Sequence, residues 1–539
     1  MHIIYGGGKS MQIAMVHGYF LNGTGSNLLV QNLCREFCKM GHDVRLFCQE
    51  SDGYQFDFIE KVYDFDVKNT IPTLVHQKET PYRGKCFLFR PNLNSFLPVF
   101  VYDRYTGYRV KPFINCTQKE LENYLNANKN AFNNGLEIDE LDIIISNHTI
   151  MQPVYIARSS YNRQRSIHVM IMHGSCLNFA VRKSKLLQTY AEEGIFDVDK
   201  IIFISNYSKE EFISFFDWEK NRILKKAVII PGGVDLNQFQ PLNNCEEKKI
   251  KITNTLKKLT QERSSSVANS FEVINRTKDS TIKKLSDIDF EKDEVVIYFG
   301  KYLWTKGIHL LIAAAPIIMQ KSRNVRFLFV GFGSSLSYFE AMINALHNRN
   351  RVEFIHLIKH PVQLGYEVDQ TTVSYFDSLI KRLEEPSFAD DYFSTAENKI
   401  KKAIVIVGYL GHEHLNTLIA CSELMVAPSI FPEAFGLVGI EALASGIIPV
   451  QTDQSGFSEV VNVCQTEFAD ELGHLNLKEL QLDDHLVENL GLNISALLGY
   501  YRTLSPAKKQ VIRKKAHQIC VDHYSWEIIA KQYLKMLND

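Results

Sequence analysis

Short apolar runs recur along the chain, each closed by a polar or glycine-bearing loop and followed by residues at helical spacing. Residues 12–16 form the first run. A loop follows, His17 to Asn27, and then residues 28–40 carry Leu29, Leu33 and Phe37 one helical face apart before Gly41 stops the repeat. Residues 44–48 are the next run. Further runs lie at 141–146, 166–172, 200–204 and 227–230, and they end in Asn147-His148, His173-Gly174-Ser175, Ser205-Asn206 and Pro231-Gly232-Gly233-Val234-Asp235. Residues 117–130 read as a helix, with Thr117 and Glu120 spaced as a capping box. Strands separated by helical segments predict a doubly wound α/β domain with a parallel sheet. His173 then stands at the end of a strand, on the edge where such sheets hold ligands.

The pattern restarts after residue 293. Runs at 294–299, 325–330, 403–407, 424–427 and 447–450 predict a second parallel sheet. The first of them leads through Gly300-Lys301-Tyr302-Leu303-Trp304-Thr305-Lys306-Gly307 into an apolar helix over 308–320. Two stretches break the rhythm. Residues 243–293 are rich in Lys, Glu, Ser, Thr and Asn and read as a solvated insertion near a linker. Residues 335–402 are long for one connection and read as an inserted subdomain. The predicted organisation is an N-terminal domain over 11–240, a charged insertion over 241–293, and a C-terminal domain over 294–524 that carries the 335–402 insertion. A closing helix over 525–539 can cross back to the N-terminal domain.

Composition narrows the class. Of 539 residues, 45% are hydrophobic and 22% charged, as in a soluble globular protein. A formal net charge of −1 argues against nucleic acid as a partner. The ten cysteines form no C-x-x-C, which suits reduced thiols in the cytoplasm. No signal-peptide core is evident, and the apolar run over 310–319 is half of the ~20 residues a membrane span needs. Peripheral membrane contact stays compatible with this pattern. Gly6-Gly7-Gly8-Lys9-Ser10 mimics the end of a P-loop, but Ile3 stands where the motif needs glycine and no strand precedes it; a leader with Met11 as the natural start is the simpler expectation. The Gly23–Gly25 pair lacks the third glycine of a dinucleotide fingerprint, because Leu28 holds that place.

The stretch with most chemistry is Phe431 to Gly446. Glu433 and Glu441 lie eight residues apart around Ala434-Phe435-Gly436-Leu437, where a loop opens a helix. Such a helix start offers unpaired N–H groups and partial positive charge, the natural place for a phosphate. Lys301 and Lys306, on another strand-to-helix loop, can reach an anion at the same sheet edge. Phe100, Tyr102, Tyr105 and Tyr108 with Arg104 and Arg109 leave two readings open: the core face of a strand pair, or part of an acceptor cleft.

Five stretches in order carry a resemblance: Asn22-Gly23-Thr24-Gly25-Ser26-Asn27; Ile230-Pro231-Gly232-Gly233-Val234-Asp235; Gly300 to Gly307; Glu433 to Glu441; and Ser455-Gly456 with Glu459-Val460. Together they are similar to family 4 retaining glycosyltransferases of the glycosyl transferases group 1 type. That resemblance implies the GT-B fold, two Rossmann-like doubly wound parallel-sheet domains facing a cleft. It implies transfer of a hexosyl group from a nucleotide-diphosphate sugar to a saccharide, lipid or polyol, with no cofactor and no metal. Lys306, Glu433 and His173 would be the catalytic-site residues. Lys301 and Lys306 would neutralise the diphosphate, and Glu441 would hold the ribose. Glu433 with Ala434, Phe435, Gly436 and Leu437 would hold the sugar and distal phosphate. Gly23 and Gly25 would approach the phosphates and acceptor. Tyr102, Arg104 and Tyr105 are the acceptor candidates. Asp-x-Asp occurs three times, at Asp64, Asp197 and Asp287, and none of these follows a motif strand. A non-catalytic sugar-nucleotide-binding protein, or an epimerase or phosphorylase on a similar fold, is the alternative.

Overall fold

The computed structural model describes residues 10–23, 25–100, 105–136, 141–161, 166–261, 278–366, 374–473 and 475–536. The chain divides into two compact units, Met1–Gly233 with Trp526–Asp539, and Val234–Ser525. The leader glycines and the acceptor candidates Tyr102 and Arg104 lie outside the described residues.

The first unit is built on eleven described strands: β1 (Gln12–Val16), β2 (Asp43–Phe47), β3 (Ile59–Phe65), β4 (Pro72–Gln77), β5 (Cys86–Arg90), β6 (Phe96–Val99), β7 (Arg109–Pro112), β8 (Ile143–Asn147), β9 (Ile167–Ile171), β10 (Lys200–Phe203) and β11 (Ala227–Ile229). Nine of them form one sheet in the order β11-β10-β9-β8-β1-β2-β5-β3-β4, and β6 pairs with β7 apart from it. The nine-stranded sheet is parallel except for the β3–β4 hairpin at its edge. Its central strands are apolar without alternation because both faces are covered. Ile13 and Met15 enter one buried cluster, and Ala14 and Val16 enter the other.

Four helices of this unit matter below: α1 (Gly25–Lys39), α2 (Gln118–Gly135), α3 (Lys185–Asp197) and α4 (Lys220–Lys226). The expected capping box at Thr117 and Glu120 opens α2. The second unit holds β12 (Glu294–Lys301), β13 (Val325–Phe332), β14 (Ile404–Val407), β15 (Leu424–Ala427) and β16 (Ile448–Gln451), in the parallel order β14-β13-β12-β15-β16. Its helix α5 (Ile308–Lys321) is buried from Ile308 to Ile318, a stretch apolar on every face except at His309.

Within 335–402 the described residues form helices that pack on this core, and the buried Tyr392 hydroxyl donates to the Ala313 carbonyl at 2.7 Å. Within 243–293 they form the helices Cys245–Gln261 and Lys278–Ser286. Lys248 pairs with Glu423 at 2.8 Å, and Lys284 donates to the Ile406 carbonyl at 3.0 Å. Two more helices complete the set, α6 (Leu437–Ala444) in the second unit and α7 (Trp526–Lys535), which closes the chain on the first. Trp526, Ile529, Ala530 and Tyr533 of α7 share a core with Leu33 and Phe37 of α1.

Each main sheet reverses its strand order at its first strand. β1 bonds β2 on one side and β8 on the other; β12 bonds β13 and β15 in the same way. Ligands of doubly wound sheets sit outside the carboxyl ends of strands at such reversals.

Candidate functional site

In the second unit the loops after β12 and β15 meet at the reversal. The contact depends on Gly307, which has φ +72°. A Cβ there would stand 1.7 Å from the Pro428 carbonyl oxygen, so only glycine lets the two loops close up. The backbone N–H groups of Ile430 and Phe431 donate to the Thr305 carbonyl at 2.9 and 3.2 Å. These bonds hold Lys306, on a short 3-10 turn, against the second loop.

Lys306 Nζ forms an ion pair with Glu433 Oε1. The same carboxylate oxygen accepts from the Ser429 hydroxyl at 2.8 Å, and the Glu433 backbone N–H donates to Ser455 Oγ at 2.8 Å. Ser429 is held in turn, since its carbonyl accepts from Thr452 Oγ1 at 2.6 Å. Glu433 is thus fixed at its carboxylate and at its backbone. Lys306 has three donors and gives one to Glu433, so it retains capacity for an anion. Lys301 is exposed at the end of β12. Beneath the loop, Tyr298 donates to the Lys301 carbonyl at 2.8 Å; burial and then the Glu433 charge keep that hydroxyl protonated.

Helix α6 begins at Gly436, with φ +116° and no side-chain cap. A Cβ at Gly436 would lie 2.6 Å from the Phe457 ring. Ala434, Phe435 and Leu437 flank this start, and the Gly456 N–H donates to the Glu433 carbonyl at 2.8 Å. Glu441 follows one turn later. Its carboxyl is half-buried and pushed up to about 8 by desolvation, with no cation among its causes. A carboxylate deprived of water and partners readily accepts bonds from ligand hydroxyls.

In the first unit three imidazoles gather at the β1/β8 reversal. His17 follows β1, His148 follows β8 and His173 follows β9. The His148 ring lies 6.1 Å from His17 and 4.5 Å from His173, with Phe100 at 4.6 Å. Asn147 Nδ2 donates to the Val16 carbonyl at 3.1 Å, so its Oδ1 accepts from His173 Nε2 at 3.1 Å and Nδ1 of that ring is left as an acceptor. By the same logic His17 Nε2 donates to Asn27 Oδ1 at 2.9 Å, because Asn27 Nδ2 donates to the Asn22 carbonyl at 2.6 Å. Asn27 thereby folds the glycine loop: Gly23 adopts φ +107° and Gly25 opens α1. Burial pushes His173 down to about 3 and His17 to about 4, and it also pushes His148 well below the ordinary imidazole range. His148 has φ +64°, rare outside glycine, and neither of its ring nitrogens has a partner among the described residues.

Tyr105 stacks on Phe20 with ring centres 4.9 Å apart, against the apolar cluster that contains Phe100. The first two Asp-x-Asp copies are committed elsewhere. Asp64 pairs with Arg90 at 2.6 Å and Asp66 closes a turn on Thr70 and Ile71. Asp197 Oδ2 lies 2.9 Å from His168 Nδ1, and Asp199 accepts from the His168 N–H at 2.8 Å. Among the described residues no group of three or more His, Cys, Asp or Glu is arranged to hold a metal ion.

Sequence reasoning passed over Ser429, Asn27, Asn147 and His17 as working residues. It also passed over Gln451, a buried amide at the end of β16 with neither side-chain atom partnered among the described residues. For all but Asn27, which sits in the first turn of α1, the common signal is position within two residues of the carboxyl end of a strand.

The model of the family described as Glycosyl transferases group 1 matches residues 281–378 and 392–469. A lipopolysaccharide 1,2-N-acetylglucosaminetransferase of Salmonella typhimurium is 22% identical over 144 residues, 27% of this chain and 33% of that protein. An uncharacterised glycosyltransferase of Methanocaldococcus jannaschii is 21% identical over 332 residues, 60% of this chain and 61% of that protein. The chain thus spans a third and about three-fifths of the lengths of these curated relatives. Among solved structures, the catalytic domain of starch synthase IV from Arabidopsis thaliana, bound to ADP and acarbose, superposes with a TM-score of 0.55 at 14% identity, over 98% of this chain and 99% of that one. The chain therefore has the GT-B fold, and part of its C-terminal unit, residues 281–378 and 392–469, matches the glycosyl transferases group 1 family.

Proposed function

We propose that the protein is a family 4 retaining glycosyltransferase of the cytoplasm. It moves a hexosyl group from a nucleotide-diphosphate sugar to a saccharide, lipid or polyol acceptor, without a metal. The observation that carries this reading is the arrangement in the C-terminal unit: Lys306 beside a doubly anchored Glu433, an uncapped helix start at Gly436, and the desolvated carboxyl of Glu441 one turn on. A cation and N–H donors suit a diphosphate, and two carboxylates suit hydroxyls on either side of it.

In this reaction the bond from the sugar's anomeric carbon to the diphosphate oxygen breaks. A bond to the acceptor oxygen forms on the same face of the sugar. The acceptor proton passes to the departing phosphate. Negative charge grows on the leaving group, and Lys306, Lys301 and the first N–H groups of α6 stabilise it, a preorganised cation or donor being worth about 3 kcal/mol. Glu441 accepts from the ribose hydroxyls. Glu433 and the Ala434–Leu437 backbone hold the sugar and distal phosphate. His173, a neutral acceptor at Nδ1, takes a sugar hydroxyl, and Gly23 and Gly25 leave room for phosphate and acceptor. Tyr105 is the acceptor-side candidate within the described residues. Nine cysteines, all but Cys245, are free thiols, which is compatible with the cytoplasmic assignment.

The test is donor turnover. A panel of nucleotide sugars is screened for thermal stabilisation, then for slow hydrolysis and transfer, in wild type and Lys306→Ala. Turnover in the wild type with a loss of at least a hundredfold in the variant is expected. Binding with no turnover by the wild type, in the presence of an acceptor panel, would leave a non-catalytic nucleotide-sugar-binding protein instead.

A further inference from the structure

The N-terminal unit carries a surface that neither main-sheet reversal uses. Helix α4 (Lys220–Lys226) contains Lys220, Arg222, Lys225 and Lys226 and no acid. Its buried Ile223 fixes the helix against the unit, so Lys220, Asn221, Leu224 and Lys225 face outward. Large apolar side chains flank that face. Trp218 is 58% exposed, Phe196 at the end of α3 67%, and Leu224 47%. Lys226 Nζ donates to the carbonyls of Ile195 and Phe196, each at 3.0 Å, so α4 and the end of α3 are tied together. The Arg222 guanidinium lies 4.6 Å from the centre of the Phe196 ring and pairs with Glu219 at 2.7 Å. Trp218 packs edge-on against Phe216 at 5.6 Å, and neighbouring Phe215 carries the Arg182 guanidinium 5.3 Å above its ring. Exposed Asp217 and partly exposed Glu219 lie beside this face, and the carboxylates of Asp197 and Asp199 lie near Lys226.

Single exposed apolar residues need no explanation. Here three bulky ones surround a helix whose Lys220 and Lys225 are exposed, and that pattern has a physical match. Tryptophan and phenylalanine lower their free energy at the level of lipid headgroups, where the ring is dry at one end and wet at the other. Lysines beside them gain by approaching anionic headgroups. We propose that the outer face of α4, with Trp218 and Phe196, docks the protein on the surface of an anionic lipid bilayer. The side chains enter the headgroup layer without crossing it; no helix among the described residues is long and apolar enough to span a membrane. Charge complementarity selects the lipid surface, and Leu224, Phe196 and Trp218 distinguish it from a purely ionic partner. The inference does not rest on the proposed reaction, since none of these residues is placed in its machinery.

The test is co-sedimentation of the full chain with vesicles of phosphatidylcholine alone and of phosphatidylcholine with phosphatidylglycerol, together with tryptophan fluorescence. The wild type is expected to bind the anionic vesicles at least tenfold better, with a blue shift. Lys220→Glu with Lys225→Glu should cut binding by about tenfold. Trp218→Ser with Leu224→Ser should cut it similarly and remove the blue shift, although no charge changes. All four positions are exposed, and an unchanged melting temperature checks folding. Absence of binding by the wild type overturns the proposal. So does equal binding to both vesicles, or an aromatic variant that binds like the wild type; the last result would mark an ionic surface for another polyanion. Donor turnover in vesicle-free buffer should be the same in all variants, which separates failure here from failure of the proposed function.

Discussion

The reversal point of the first unit's sheet holds neutral imidazoles, and that of the second holds charge. At the β1/β8 reversal, His17, His148 and His173 are buried, and His17 and His173 bond asparagine side chains. At the β12/β15 reversal, Lys306 and Glu433 form an ion pair and Glu441 waits as a poorly hydrated carboxyl. Both sheets reverse strand order at these points, at β1 and at β12, so the reversal does not explain the difference. The contrast lies in which polar groups each loop sequence places at an equivalent edge. Neutral donors and acceptors suit uncharged hydroxyls, whereas cations and an uncapped helix start suit a diphosphate. On the proposed function, the second unit carries most of the electrostatic load and the first positions the neutral end of the reaction.

The strongest way to break this contrast is to remove its charge. Lys306→Ala should lower donor turnover by a hundredfold to a thousandfold, about 3–4 kcal/mol, with a melting temperature close to wild type because the side chain is partly exposed. His173→Ala should cost less, about tenfold. A larger loss at His173 than at Lys306 in the same assay would reverse the assignment.

The pH dependence of stability probes both edges, with opposite signs. The buried histidines ionise less readily folded than unfolded, His17 at about 4 and His173 at about 3 against the ordinary 6.5. The unfolded chain therefore binds more protons as pH falls below 6.5, and stability drops toward pH 4 by up to roughly 3 kcal/mol for such a group. His17→Gln should flatten the fall in urea midpoint between pH 6.5 and 4; an unchanged slope counts against neutral burial.

Glu441 works the other way. Its carboxyl, at about 8 against the ordinary 4.5, costs stability as pH rises through 4.5 toward 8, where only the unfolded chain ionises freely. Glu441→Gln should therefore raise the urea midpoint at pH 8, by on the order of 1–2 kcal/mol, and leave it unchanged at pH 4. It should also weaken donor binding. In the wild type, donor binding near pH 7 should release protons, visible as a calorimetric heat that depends on the buffer. Binding with no buffer dependence would mean that the ligand does not reach this carboxyl.

The smallest expected effect is that of a chelator. With Lys306 and the α6 terminus carrying the diphosphate charge, EDTA should change donor turnover by less than twofold. Loss of activity restored by a divalent cation would shift the load from these residues to a metal.

Much of the framework was readable because its signals are local. A parallel strand covered on both faces is an apolar run, and a polar loop at its end marks the ligand edge, so β1, β8, β9, β12 and β15 and the loops after them could be placed in advance. The Thr117–Glu120 capping box is a contact between residues three apart and appears as expected. The run from Glu433 to Glu441 is also short-range, with loop, helix start and carboxylate spacing all inside one turn-and-helix. By contrast, β3 and β4 escaped notice. They form an edge hairpin with mixed exposure, and no apolar run survives where one face meets water.

What the order of residues decided, then, was the doubly wound pattern, the position of each ligand-edge loop and the chemical types available there, because these depend on neighbours in sequence. Which of those groups meet was decided by the tertiary structure. Lys306 reaches Glu433 across 127 positions because Gly307 lets its backbone approach Pro428. Ser455 and Ser429 complete the hold on Glu433 because β16 and β15 are adjacent. His17, His148 and His173 lie side by side because β8 lies between β1 and β9, an order that no local pattern encodes. The raised Glu441 carboxyl and the lowered imidazoles have the same origin. Burial is a property of the folded assembly, and the side chain alone does not set it.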